Sequence, residues 1–459
     1  MAAADHDVVV VGAGLSGLAA ARALEAAGLD VAVVEARDRV GGRVLNEPLG
    51  EDAVLELGAQ WIGPGQDRAY ALVSELGLST FPTYAHGESL FERKGRLHRH
   101  RGTVPRINPA VLLDVLGAQA RLNRMARTVP VQAPWRAARA ERWDRQTFAG
   151  WIARNAVTSG GRAILALAAE AVFAADPADL SLLHVLFYIR SGGSLQALTG
   201  TEGGAQQDRV VGGTQLLALG LAERLARPVR LEAPVHEIEL AGPEQVVVRC
   251  AGGVELVAGR VVVALAPSMA AGIGFAPGLP ALRNQLHQRM PQGSVAKCFA
   301  VYDEPFWRAD GLSGQATSDQ GPVKVVFDGS PPSGSPGVIL GFLEGRQARL
   351  LSGWSPERRR AAVVECFVRF FGPRAAQPQR YVERSWAQER WSGGCYAGYF
   401  GPNGWSDFGP ALREPVGPLH WAATETATRW CGYMDGALSA GERAAGEVVA
   451  ALDAVGSRT

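Results

Sequence analysis

The sequence predicts an α/β fold in two interleaved domains, and three observations carry that prediction. A β-branched run, Val8–Val11, leads through Gly12-Ala-Gly14-Leu-Ser-Gly17 into a helix-forming stretch, Leu18–Ala27. After residue 80 the texture changes to longer helical segments. Strand patterns and glycine-rich, aromatic sequence then return, so each domain is assembled from separated pieces of chain and not strung on a linker.

The first element is the most informative. Val8–Val11 is too short for a helix and suits a parallel strand buried on both faces. Gly28 ends the following helix, and Val31–Val34 makes a second strand closing on Glu35. This is the βαβ setting in which a GxGxxG match means a dinucleotide. Gly12 permits a tight turn, Gly14 lets the backbone approach a pyrophosphate, and Gly17 lets helix and strand pack closely. The helix start offers unpaired N–H groups and partial positive charge to phosphates. Glu35 is placed to accept both ribose hydroxyls, and an acid there disfavours a 2′-phosphate. Beyond it, Arg37-Asp-Arg-Val-Gly41-Gly42-Arg43 adds a glycine pair and an arginine, which points to FAD and not to a nicotinamide cofactor.

Helices are expected at 110–128, 160–175 and 356–371, and Leu180–Arg190 is apolar almost all round, as in a buried helix. Val246–Arg249 and Val261–Leu265 form a strand pair, with further strands at Val295–Tyr302, Val323–Phe327 and Val338–Phe342. Pro331–Pro336 is a hairpin or loop, not a domain boundary, and there is no tandem repeat.

Composition removes several function classes. The 46 basic and 45 acidic residues give a net charge of +1, so neither nucleic acid nor a membrane surface is implied as a partner. The one dense basic run, Arg93–Arg101, reads as a solvated loop or sheet edge. Five cysteines without a CxxC pair argue against disulfides or zinc and for a reducing compartment, taken as the cytoplasm. No HExxH or GxSxG pattern occurs, and no metal site is expected. Asp5, Asp7 and Glu25 spoil the apolar N-terminus as a signal or membrane segment, and the polar C-terminal tail points to a soluble chain.

Seven ordered blocks resemble the flavin monoamine oxidase family over essentially the whole length. They are VVVVGAGLSGLAAARAL, VVEARDRVGGR, LGAQWIGPGQDR from Leu57, GGAQQDRVVGG from Gly203, VAKCFAVYDEPFWR from Val295, SWAQERWSGGCYAGYF from Ser385, and WAATETATRWCGYMDGALSAGERAA from Trp421. The likeness is greatest to soluble bacterial members, and the membrane-anchoring tail of animal members has no counterpart. The resemblance implies a Rossmann-type FAD-binding domain, from residues 1–82, 206–290 and 389–459. It implies a substrate domain, a mixed sheet flanked by helices, from 83–205 and 291–388. The implied chemistry oxidises an amine to an imine and returns the electrons to O2 as peroxide. A small amine and O2 are the partners, and a homodimer is left open.

Residue by residue, the resemblance assigns FAD binding to Gly12, Gly14, Ser16, Gly17, Glu35, Ala36, Arg37, Gly42 and Arg43. It adds Gly58-Ala59-Gln60-Trp61, Val235 at the adenine, Trp386 beside the flavin, and Glu425 and Met434 near the ribityl chain and ring edge. Tyr396 and Tyr433 match the paired aromatic walls before the flavin, and Lys297 the lysine that holds a water near its N5. Cys395 matches the cysteine linked covalently to the flavin in animal members. Val172, Phe173, Leu198, Gln206, Val325 and Phe342 are the implied substrate wall. That wall is mostly apolar, which favours a hydrophobic primary amine. A polyamine oxidase, which needs an acid deep in the pocket, and an amino-acid oxidase, which needs an arginine clamp, are the rival enzymes. A non-catalytic FAD-bearing interaction protein is the rival of another class.

Overall fold

A computed structural model describes residues 4–50, 53–102, 107–242 and 244–456; the polar tail Ser457–Thr459 lies outside them. Two large sheets organise the described residues. In the first, His6–Val11 is the central parallel strand, with Val31–Val34 on one side and Glu255–Val263 on the other. Its residues Val8, Val9 and Val10 are fully buried, as the continuous apolar run requires. The strands Val235–Gly242, Gln245–Cys250 and Glu255–Val263 add an antiparallel meander, and Leu419–Trp421 pairs alongside.

The second sheet is mixed. Its spatial order is Arg380–Ser385, Val295–Tyr302, Gly337–Glu344, Val325–Asp328, Leu312–Ser318, Glu88–Arg93 and Arg96–His100. Leu312–Ser318 runs parallel to Glu88–Arg93, while the other neighbours are antiparallel. Pro331–Pro336 joins two antiparallel neighbours as a hairpin loop. The basic run Arg93–Arg101 is the edge hairpin of this sheet, with Arg96–Arg99 exposed. Charge on an edge strand discourages pairing with another chain.

Helices cover both sheets. Pro109–Ala126, Ser159–Phe173 and Leu182–Ser191 surround an aromatic core that includes Trp143, Trp151, Phe187 and Trp405. The apolar run expected from Leu180 starts as a helix only at Leu182. The reason is Ser181, whose hydroxyl accepts from the N–H groups of Leu183 and His184 at 3.1 and 3.3 Å and so caps the helix. The strand expected from Val323 starts at Val325, after Gly321 at φ +70° and Pro322. Pro356–Phe371 is helical as expected, capped by Ser355. The long helix Met434–Gly456 packs on Leu15–Ala26, and Gly441 makes that approach possible: a Cβ there would lie 2.1 Å from the Ser16 carbonyl oxygen.

Candidate active site

At the end of the first strand the chain turns through Gly12, at φ +102°, into the helix Leu15–Ala26. A Cβ on Gly17 would lie 1.9 Å from the Gly12 carbonyl oxygen, so only glycine lets the helix start this close to the strand. At Gly14 a Cβ would meet no atom within 4 Å, and no side chain caps the helix there. The helix start therefore faces a cavity with its N–H groups uncapped, a favourable place for phosphate. Glu35, buried, ends the next strand. Its carboxylate accepts from the N–H of Ala13 at 2.8 Å and of Arg37 at 3.1 Å, while Arg37 reaches across to Ser392 Oγ at 2.8 Å.

Further along the cavity, Arg43 donates to both Glu425 oxygens, at 2.7 and 3.2 Å, and to the Tyr396 carbonyl at 3.0 Å. Glu425 is fully buried. Burial alone would raise its pKa, but the Arg43 charge and hydrogen bonds hold it below the usual carboxylate range. Glu425 also accepts from Gln292 and from the Gly398 N–H. It does not line the cavity; it holds Arg43, which does. Gly58 lets this segment lie against Arg43, since a Cβ there would be 2.1 Å from the Arg43 carbonyl oxygen.

Lys297 comes from the middle of Val295–Tyr302. Its ammonium donates to the carbonyls of Glu56 and Gly58, at 2.5 and 3.0 Å, and to Gln60 Oε1 at 2.6 Å. Burial lowers its pKa to about 7, although Glu56 opposes that shift. The register of the mixed sheet sets its neighbours: Lys297 pairs with Phe342, and Phe342 with Val325. These three stand in one row across three strands. Trp61 packs beyond them with its ring tilted, 4.8 Å from Phe327 and 6.0 Å from Phe342 between ring centroids.

The cavity has a volume of about 670 Å³, within the usual range for cofactor and ligand sites. It runs from Gly12, Gly14, Ser16, Glu35, Arg37 and Gly42 past Arg43 and Gly58–Trp61 to Lys297, Trp386, Cys395, Tyr396, Tyr433 and Met434. Val172, Leu198, Gln206, Val325 and Phe342 also line it. Gly17, Ala36, Val235 and Glu425 do not. Trp386 is pinned by its indole N–H on the Leu57 carbonyl at 2.7 Å. Burial raises the Cys395 thiol to about 12, partly opposed by Arg43.

One expectation about the wall needs correction, and one residue of the wall is new. Phe173 is turned into the core beside His184 and Tyr188, with its ring 4.7 Å from that of Tyr188, and it faces only a small void behind the main cavity. It follows Val172 in the same helix, and the turn of about 100° per residue carries its side chain away from the cavity side. The wall also carries an acid, Glu344, whose carboxyl accepts the Tyr396 hydroxyl at 2.8 Å. Extending the strand Val338–Phe342 by two residues would have found it, because alternate residues share a face. Tyr188 and Phe327 join the lining as well. Tyr188 was hidden in a uniformly apolar helix, where no period separates cavity side from core side.

The model of the family described as flavin containing amine oxidoreductase matches residues 15–449. AofH of Mycobacterium tuberculosis, which carries the description flavin-containing monoamine oxidase, is 42% identical over 446 residues, 97% of each chain. The chain belongs to the flavin-containing amine oxidoreductase family. Among solved structures, a putrescine oxidase superposes with a TM-score of 0.93 at 34% identity, covering 97% of this chain and 99% of that one. The cyclohexylamine oxidase of Brevibacterium oxydans superposes equally well at 33% identity, covering 98% and 100%. This amine oxidase is therefore a flavoprotein enzyme with FAD as cofactor and an amine and O2 as small-molecule partners. Among its described residues, no helix is long and apolar enough to cross a membrane.

Proposed function

We propose that this oxidase acts on primary amines with a hydrophobic body, cyclic, aryl or medium alkyl, converting them to imines that hydrolyse to an aldehyde or ketone and ammonia. The observation that carries the reading is the wall beside the two tyrosines. Val172, Leu198, Val325, Phe327 and Phe342 line it, and its acid, Glu344, is kept neutral at pH 7 because burial raises its pKa to about 8. A second ammonium group beside these side chains would find no buried carboxylate as its partner at pH 7, at a cost of several kcal/mol; Glu202, the acid near Leu198 and Gln206, is exposed. The likeness to a cyclohexylamine oxidase supports such a body; the likeness to a putrescine oxidase supports the rival.

The residues present suit FAD. The uncapped helix start at Gly14 would take the pyrophosphate and Glu35 the ribose, with Arg37, Gly42, Arg43 and Gly58–Trp61 along the cofactor. When bound, FAD supplies the two-electron oxidant for the amine and passes the electrons to O2. The chain's own groups hold and orient the substrate. Burial raises the pKa of both Tyr396 and Tyr433, so both phenols stay protonated. Tyr396 is fixed by its bond to Glu344. Tyr433 packs 5.0 Å from Trp430 and 6.0 Å from Tyr188, centroid to centroid. Their faces favour positive charge developing at the amine nitrogen. Lys297, when charged, has all three N–H groups filled by Glu56, Gly58 and Gln60; its neutral form has a lone pair with which to hold a water.

We also infer a covalent bond from Cys395 to the flavin, a cytoplasmic protein whose cysteines form no disulfide, and a division in which the first sheet carries the cofactor and the second the substrate. A panel of amines with peroxide readout tests the substrate reading. Cyclohexylamine, benzylamine or hexylamine should give the highest kcat/KM at pH 7. Putrescine or an L-amino acid at the top of the panel would overturn it.

A further inference from the structure

Glu344 has a feature that holding Tyr396 does not explain. It closes the strand Gly337–Glu344 on the same face as Phe342 and is 4% exposed. One carboxyl oxygen accepts the Tyr396 hydroxyl at 2.8 Å, and the other, equally buried, has no hydrogen-bond partner. An orphaned buried oxygen in the wall of a cavity is unmatched binding capacity, because buried polar groups are almost always paired. What it can bind depends on its proton. As a neutral acid it adds no charge to the wall, and an apolar body passes it. As a carboxylate it offers a second cation a buried partner, unlike Glu202, which lines the same cavity but is exposed.

We propose that Glu344 selects between monoamines and diamines, and that its ionisation switches the preference. The inference rests on reading this cavity as the amine pocket. Burial raises the carboxyl pKa to about 8, partly opposed by the Tyr396 hydrogen bond. The charged groups that bear on it are Glu170, from the helix Ser159–Phe173, and Lys324, at the head of Val325–Asp328. These two pair with each other at 2.5 Å, so their effects on Glu344 oppose and neither leaves it a private counter-ion. Lys297, further along the same wall, has its donors taken by Glu56, Gly58 and Gln60. A group with a raised carboxyl pKa is neutral below that value and charged above it. Diamine selectivity should therefore appear as pH rises. The distal ammonium of a diamine remains charged up to about pH 10, so a window exists in which both ions are present.

The test compares 1,5-diaminopentane with pentylamine on the FAD-loaded enzyme between pH 6.5 and 9.5. Both amines stay mostly protonated below about pH 9, so up to there the ratio of their kcat/KM values isolates the wall. The ratio should rise at least tenfold, with a midpoint near pH 8, and Glu344→Gln should hold it flat near its low-pH value. A ratio that stays flat in the unsubstituted enzyme overturns the proposal without any variant. An equal rise in Glu344→Gln also overturns it and leaves the amine pocket standing. Failure of both amines to bleach the flavin anaerobically, while other classes succeed, removes the pocket reading and this proposal together.

Discussion

Lys297 pays for its position in protonation. Its folded pKa, about 7, lies below the ordinary lysine value of 10.5, so its contribution to stability is complete above 10.5 and is lost as pH falls to 7. Lys297→Met should flatten the loss of thermal stability between pH 10.5 and 7; an unchanged slope would contradict a buried, titrating lysine. The same variant should slow flavin reoxidation at least tenfold while anaerobic reduction changes less, since a placed water and charge matter most when O2 is reduced. Identical reoxidation in parent and variant would remove Lys297 from that step. At the tyrosines, an alkyl ammonium must reach the oxidant as a neutral amine. The rate of flavin reduction at subsaturating amine should therefore rise between about pH 7 and 9. Tyr396→Leu and Tyr433→Leu should each lower that rate and keep FAD, and stopped-flow traces at the parent rate would refute the role. For Cys395, acid-precipitated protein should stay yellow and Cys395→Ala should release its flavin; a colourless parent pellet rules out the bond.

Within single elements, the helix Met434–Gly456 offers a matched pair of glycines. Gly441 lies against the helix Leu15–Ala26 with no room for a Cβ, whereas Gly446 is exposed, with nothing within 4 Å. Gly441→Val should wedge the helices apart, cost about 1–3 kcal/mol and loosen FAD, because Leu15–Ala26 begins at the phosphate site. Gly446→Ala should gain roughly 0.5–1 kcal/mol from helix propensity alone. Thermal unfolding of the FAD-loaded proteins decides it: equal shifts in the two variants would mean that the helix contact carries no energy.

Across the whole molecule, a buried ion pair between two short strands, Val54–Glu56 and Asp208–Val210, ties them to the mixed sheet. Arg209 donates to Glu56 at 2.8 Å, both nearly inaccessible, and also to the carbonyls of Gly329 and Ser330 beyond Val325–Asp328 in the mixed sheet. The Glu56 carbonyl in turn receives Lys297. Arg209→Met would strand the Glu56 charge in the interior, at about 3–5 kcal/mol, and relax the loop that leads to Lys297's sheet. Denaturant unfolding should show that loss together with weaker FAD retention. A change under about 1 kcal/mol would mean that the pair does not hold these strands to the mixed sheet.

Much of this protein was legible in the chain because its signals are local. Val8–Gly17 announces strand, turn and helix from consecutive residues, and Gly12, Gly14 and Gly17 each answer to a constraint within ten positions. Pro356–Phe371 declared itself by a cap, a proline and an apolar stripe. The apolar row Val325 and Phe342 was found through motif likeness, but that they stand beside Lys297 follows from strand register, which no local pattern encodes. The wall was misread for the same reason. Phe173 and Val172 are adjacent in sequence, yet a helix turns successive side chains by about 100°, and only packing decided which one faced the cavity. Glu344 escaped notice because an acid after an apolar strand looks like a solvated end; the tertiary fold buried it against Tyr396. Local propensity and glycine sterics determined the cofactor cradle. Long-range pairing decided which charged groups were taken from water, and with them the ionisation states of Lys297 and Glu344, since desolvation depends on what packs around a group and not on its neighbours in the chain.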